Sequence, residues 1–392
     1  MPQPITADIS DKHKLHGLDH LRALAIIYVF CFHYQFFGHP AWEAGRVSNF
    51  GWTGVDLFFV LSGFLIAGQL FNTVSKGKAI SVNEFFIKRF FRIIPPYFFV
   101  LILYIAFPLA HEWGHLSPLW RYFTFTLNFG LDLRKYGTFS HAWSLCVEEQ
   151  FYFLLPLIFL LLNYFKAGKR SVYLVAALFI AGFIVRYLNW KYLVAPYLNT
   201  DDFNARFNEF VYYPTYNRLD GLLVGVSIAG LFTFYPRVKE WVNRRSYIIL
   251  GVGIVMLVIA WLACPQQSTY NTVIIGFPLV SLAFGLILAA FVSPANIFYQ
   301  LKSKVTAQIA TWSYSIYLIH KLIIHTTQSL LETAGMDKSS NLAMLVCVVC
   351  VVAAALAMRY LIEKPVLKLR NIILGKMKVA DRPATEKQLT NL

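Results

Sequence analysis

Apolar residues along this chain gather into long runs, separated by short breaks that are polar, basic or rich in glycine and proline. Windowed apolarity places ten runs at 17–37, 52–72, 90–110, 143–163, 171–190, 217–235, 246–263, 271–292, 308–331 and 341–362. The first holds 21 residues, which at about 1.5 Å each span about 31 Å, the thickness of a bilayer's hydrocarbon core. The pattern predicts an all-α fold: a polytopic membrane helix bundle with about ten transmembrane helices. An even number of crossings returns the chain to its starting side. Lys and Arg are denser in the termini and the even-numbered loops than elsewhere, so both termini are expected to be cytoplasmic. The chain then divides into a cytoplasmic N-terminal segment 1–16, a membrane domain 17–365 and a basic cytoplasmic tail 366–392.

Composition narrows the class. Of 392 residues, 57% are hydrophobic and 14% charged, whereas soluble domains carry about 25% charged residues. A net charge of +15 would suit nucleic acid if the basic side chains shared one soluble face. They fall between apolar runs and in the tail instead, which points to a lipid bilayer as partner and to no nucleic acid. The five cysteines lie within apolar runs or at the end of one, so neither a disulfide framework nor a zinc knuckle is supported. The first run is too long and too charged for a cleaved signal peptide and is expected to stay in the mature, inner-membrane protein.

Polar residues inside the runs carry the candidate chemistry. Arg22 and His33 are eleven residues apart, so on a helix turning about 100° per residue they share nearly one face, about 16 Å apart. An ionisable group at mid-span costs roughly 2.5–3.5 kcal/mol, and each therefore needs a reason. The structural alternatives are Arg22 reaching the near surface beside Asp19, and His33 bonding a neighbouring helix. The second run carries Asp56 near its outer end and Ser62-Gly63 at mid-depth, where small residues suit close helix packing and the hydroxyl is a candidate ligand contact. Lys88, Arg89 and Arg92 cluster at the inner end of the third run, and Pro95-Pro96 is expected to break or kink the helix beyond them. Guanidinium forks match phosphate oxygens, although such a cluster also serves as a basic flank on anionic lipid.

Two further motifs stand out. His111-Glu112-Trp113-Gly114-His115 matches the HExxH zinc-hydrolase signature, which needs a helix to turn both histidines toward one metal. Gly114 inside it and Pro118 after it argue against that helix, so no metal is expected. The fourth run opens with His141-Ala142-Trp143-Ser144-Leu145-Cys146-Val147-Glu148-Glu149-Gln150-Phe151-Tyr152. His141, Ser144, Glu148 and Tyr152 recur at helical spacing and form one polar stripe that reaches the depth expected of His33. Farther on, Asp220 is expected to pair with Arg218 or Arg186, and Gly221 and Gly225 form a small-residue packing face. Ser313, Tyr317 and His320 share a face of the ninth run.

Taken together these motifs resemble the acyltransferase 3 family of integral membrane O-acyltransferases. The resemblance rests on Gly17-Leu18-Asp19, Leu21-Arg22-Ala23 and His33; on Gly54 to Phe64; on Arg89, Arg92-Ile93 and Pro95; on Trp143 to Tyr152; on Ser313 to His320; and on Glu363-Lys364-Pro365. It covers nearly the whole chain in the expected order, with one departure at His20, where the family commonly has glycine. The resemblance implies transfer of an acyl group, often acetyl, from cytoplasmic acyl-CoA to a hydroxyl of a glycan or small-molecule acceptor. Arg22, Lys88, Arg89 and Arg92 are then expected to hold the phosphates of acyl-CoA. Depth and face bring His33 toward Glu148, so His33 is expected as general base with the Glu148 carboxylate orienting it. Asp19, Ser62 and His320 are candidate substrate contacts. A polytopic transporter would also use intramembrane charges, small-residue faces and broken helices, but the two halves show no inverted repeat.

Overall fold

The computed structural model describes residues 15–42, 45–165, 168, 171–264 and 266–380. Residues 1–14 of the expected N-terminal segment and 381–392 of the expected tail lie outside the described residues. The main helices follow the apolar runs in order: α1 (His16–Tyr34), α2 (Thr53–Ser75), α3 (Val82–Ala106), α4 (Trp143–Tyr164), α5 (Ser171–Asn189) and α6 (Asp220–Phe234). They continue as α7 (Ser246–Ala263), α8 (Phe277–Phe291), α9 (Lys304–Thr333), α10 (Asn341–Met358) and α11 (Lys364–Ala380). A helix stands at each of the ten expected spans. Among the described residues, seven helices are long and apolar enough to cross a membrane, or eight if α6 and the helix Pro236–Arg244, bent by 107°, count as one span. The helices α1 and α9, which carry His33 and His320, are outside the seven because polar residues dilute their apolarity. The chain is a multi-pass integral membrane protein. The basic segment after Pro365 is helical as far as Ala380, and α11 packs on α3.

Local sequence explains where α3 starts. Ser81 caps it by accepting the Glu84 N–H at 3.3 Å, so Lys88, Arg89 and Arg92 sit within the helix. The helix then runs through Pro95 and Pro96 to Ala106 without a break. Beside the two prolines the Tyr314 hydroxyl of α9 donates to the Ile93 carbonyl at 2.8 Å, which ties α9 to α3.

Inside a bilayer, apolar side chains gain little by leaving lipid for protein, so helices associate through close packing and polar contacts. Both are present. A Cβ added to Gly63 would collide with the Leu222 carbonyl, and one on Gly225 with the Val60 carbonyl; glycine at these positions lets α2 and α6 meet backbone to backbone. The expected pairing of Asp220 resolves in favour of Arg186, while Arg218 donates to Asp56 at 2.9 Å. All four side chains are buried. The Arg218 guanidinium also lies over Phe277 at 4.2 Å and Tyr212 at 4.7 Å, which disperses its charge among aromatic faces. The Ser313–His320 motif meets Glu363-Lys364-Pro365 directly: Ser315 donates to the buried Glu363 carboxylate, which also accepts from Arg359 at 2.6 Å. His20 fits because Leu301 accepts from its Nε2 at 3.0 Å and Thr306 donates to its Nδ1 at 2.9 Å.

The segment between α3 and α4 folds onto the His33 end of the bundle. Gly114 has φ +58 and the His115 N–H bonds the Lys135 carbonyl at 2.9 Å, so HExxH does not form a helix. His111 instead donates to the Tyr104 carbonyl at 2.9 Å. Glu112 accepts from the Tyr104 hydroxyl and, at 3.3 Å, from the Phe139 N–H. Phe139 has φ +53, a left-handed conformation rarely taken outside glycine. The Glu112 bond and stacking of its ring on Tyr104 and Tyr122 hold it there, two residues before His141.

Candidate active site

Arg22 on α1 and Arg89 and Arg92 on α3 turn into one cavity, whose other walls are Ser62, Leu65 and Gln69 of α2, Glu148, Glu149 and Tyr152 of α4, and Tyr314 of α9. Arg89 donates to the neutral amide of Gln69 at 3.0 Å and lies 5.7 Å from the Tyr152 ring centroid. The Tyr152 hydroxyl is 2.7 Å from Glu148 and 2.9 Å from Ser62. With one proton available, it donates to the carboxylate and accepts from the serine. The polar stripe of α4 thus faces the cavity, as its spacing predicts.

Along the same stripe the cavity reaches Ser144 and Tyr317, whose hydroxyls are 2.5 Å apart. Tyr317 donates onward to the His141 carbonyl at 2.8 Å. Three imidazoles stand just beyond: His33 and His320 with ring centroids 4.9 Å apart, and His141 at 6.0 Å from His33 and 5.1 Å from His320.

Hydrogen bonds assign the protons in this cluster. His320 Nδ1 lies 2.8 Å from the Tyr317 carbonyl and 3.1 Å from the Ile316 carbonyl; carbonyls only accept, so Nδ1 carries the hydrogen. In the neutral ring, His320 Nε2 then accepts, and at 2.9 Å its donor is His33 Nδ1–H. That leaves the lone pair of His33 on Nε2. The contact fixes one nitrogen of the His33 ring through a partner on α9.

The cavity collects Arg22, Arg89, Arg92, Ser62 and Glu148 from the sequence-derived candidates. Lys88 lies elsewhere: it pairs with Glu84 at 2.7 Å on an exposed face of α3. Asp19 is one helical turn from Arg22 and is not part of the cavity lining. The expected contact between His33 and Glu148 is absent among the described residues. His33 is bonded to His320, and Glu148 to Tyr152, because α9 rather than the middle of α4 packs on α1 at the depth of His33. His141, Ser144 and Tyr317 link the cavity to the imidazoles. Their helical spacing was the visible signal, but spacing alone does not say which residues of a stripe meet which helix.

Among the described residues, no group of three or more His, Cys, Asp or Glu is arranged to hold a metal ion. What remains is an arginine-lined cavity inside a membrane bundle that extends to Ser144 and Tyr317, with the imidazole cluster packed against Tyr317. The family described as "Acyltransferase domain" matches residues 15–360, and the chain belongs to this acyltransferase 3 family. It is similar to the O-acetyltransferase OatA of Staphylococcus aureus (strain NCTC 8325 / PS 47), with 30% identity over 338 residues, 79% of this chain and 50% of that protein. It is also similar to the peptidoglycan O-acetyltransferase OatA of Listeria monocytogenes serovar 1/2a, with 29% identity over 338 residues, 81% of this chain and 50% of that protein. The chain spans about half the length of the curated relatives it matches. No solved structure matches it.

Proposed function

We propose that the protein is a membrane O-acyltransferase that moves an acyl group, acetyl in the first instance, from cytoplasmic acyl-CoA to a hydroxyl of an envelope glycan or small-molecule acceptor. The observation that carries this reading is a cavity lined by Arg22, Arg89 and Arg92 that extends past Glu148 to Ser144 and Tyr317, with His320 of the His33–His320 pair packed against Tyr317. Ten crossings with both termini cytoplasmic would put the arginines near the inner surface and His33 in the outer half of an inner-membrane protein. The cavity encloses about 150 Å³, a volume suited to a thioester arm, so the nucleotide would stay at the arginine end. There Arg22, Arg89 and Arg92 would hold phosphates, with Lys88 on the exposed approach. Glu148, kept in place by Tyr152, would line the path of the arm instead of orienting the base.

In the reaction, His33 Nε2 takes the proton of the acceptor hydroxyl as its oxygen attacks the thioester carbon. His320 keeps the His33 ring oriented and shares the charge that develops on it. The carbon–sulfur bond then breaks, and the thiolate leaves as free thiol with the proton returned by His33. The test is acyl transfer from acetyl-CoA by purified protein, with His33→Ala as comparison. Unchanged transfer by a correctly inserted His33→Ala protein would remove the assignment of the base.

A further inference from the structure

His141 is the histidine that this mechanism leaves unused. Its Nε2 lies 3.1 Å from the Leu318 carbonyl, so Nε2 carries the hydrogen and Nδ1 holds the lone pair. That Nδ1 is buried and has no hydrogen-bond partner among the described residues. Buried acceptors are rarely left unmet unless a ligand or water completes them. The ring is also fixed with unusual thoroughness. Its backbone carbonyl accepts from Tyr317, its ring packs edge-on against Phe139, and Phe139 is pinned in its left-handed conformation by Glu112. The residues of the misleading HExxH match therefore serve to hold an imidazole beside the proposed base. The His33 and His141 rings are neighbours, with centroids 6.0 Å apart.

We propose that His141 is a positioning residue for the acceptor: its Nδ1 accepts a hydrogen bond from a second O–H or N–H of the acceptor, next to the hydroxyl that His33 deprotonates. The site would then select acceptors with neighbouring donors, as a sugar ring carries, over simple alcohols. This inference rests on the reading of His33 as base and of acyl-CoA as donor.

The experiment measures initial rates of acetyl transfer by purified full-length protein from acetyl-CoA to a soluble peptidoglycan disaccharide, varying each substrate in turn. His141→Phe keeps a ring and removes the acceptor nitrogen; it is expected to raise the disaccharide KM at least tenfold and to leave the acetyl-CoA KM unchanged. His141→Gln, which returns an acceptor oxygen to the position, is expected to recover most of that loss. His141→Ala gives the same comparison should the phenylalanine variant fail to elute as a single species. An unaltered disaccharide KM in the folded variants, or an equal rise in both KM values, would overturn the proposal. Wild-type protein that consumes no acetyl-CoA with the disaccharide would instead overturn the reading of the site, and this inference with it.

Discussion

Arginines occupy two regions of this bundle in opposite ways. Arg186 and Arg218 are buried against the carboxylates of Asp220 and Asp56, and aromatic rings enclose the Arg218 head. Arg89, by contrast, meets the neutral amide of Gln69 and the face of Tyr152, and it shares an open cavity with Arg22 and Arg92. A guanidinium ion-paired to a buried carboxylate ties helices together, even where, as at Arg186 Nε and at Arg218 Nε and Nη1, some of its nitrogens bond no other group among the described residues. One that borders a cavity keeps donors for a ligand. What separates the two sets is direct pairing with a carboxylate, seen at Arg186 and Arg218, against a shared cavity at Arg22, Arg89 and Arg92, so they should respond differently to substitution.

The largest effect is expected at the imidazole pair that the cavity serves. His33→Ala should lower kcat roughly 10²–10⁴-fold, the usual worth of a general base, with unchanged thermal stability in detergent. Next comes the closed region. Asp220→Ala strands a buried Arg186 and should destabilise the protein by about 3–5 kcal/mol, read as a large fall in the thermal unfolding midpoint. The open region should behave in the reverse sense: Arg89→Ala with Arg92→Ala should raise the acetyl-CoA KM roughly tenfold or more, with little change in unfolding midpoint. If the double variant unfolds early and keeps its KM, the two arginine sets do not differ as argued. The smallest effect is expected at Tyr314→Phe, which removes the hydroxyl from the Ile93 carbonyl and should cost about 0.5–1.5 kcal/mol of stability.

Much of this contrast is legible in the residues, and the missing part has a physical reason. Run length places the helices, helical spacing puts His141, Ser144, Glu148 and Tyr152 on one stripe, and Gly114 exposes HExxH as a loop. The backbone approach at Gly63 and Gly225 follows from small residues in apolar runs. Spacing gives a residue's face and depth but not its neighbour. The partner of His33 was therefore sought on α4, where a carboxylate stands at plausible depth, while the packing of α9 on α1 supplies His320. Lys88 shows the same limit: it is near Arg89 in sequence, yet it pairs with Glu84 one turn back on the exposed side of α3 and lies outside the cavity lining. The contact of Tyr314 with the Ile93 carbonyl of α3 joins residues more than two hundred positions apart, which spacing does not show.

Binding and chemistry are assigned to different ends of one path, so they should separate experimentally. The most direct measurement is calorimetric titration of acetyl-CoA into purified wild-type, His33→Ala and Arg89→Ala/Arg92→Ala proteins, each also assayed for transfer. His33→Ala is expected to bind acetyl-CoA with the wild-type Kd and fail to transfer, and the arginine variant to bind at least tenfold more weakly. Wild-type affinity in the arginine variant, or loss of acetyl-CoA binding in His33→Ala, would contradict the account.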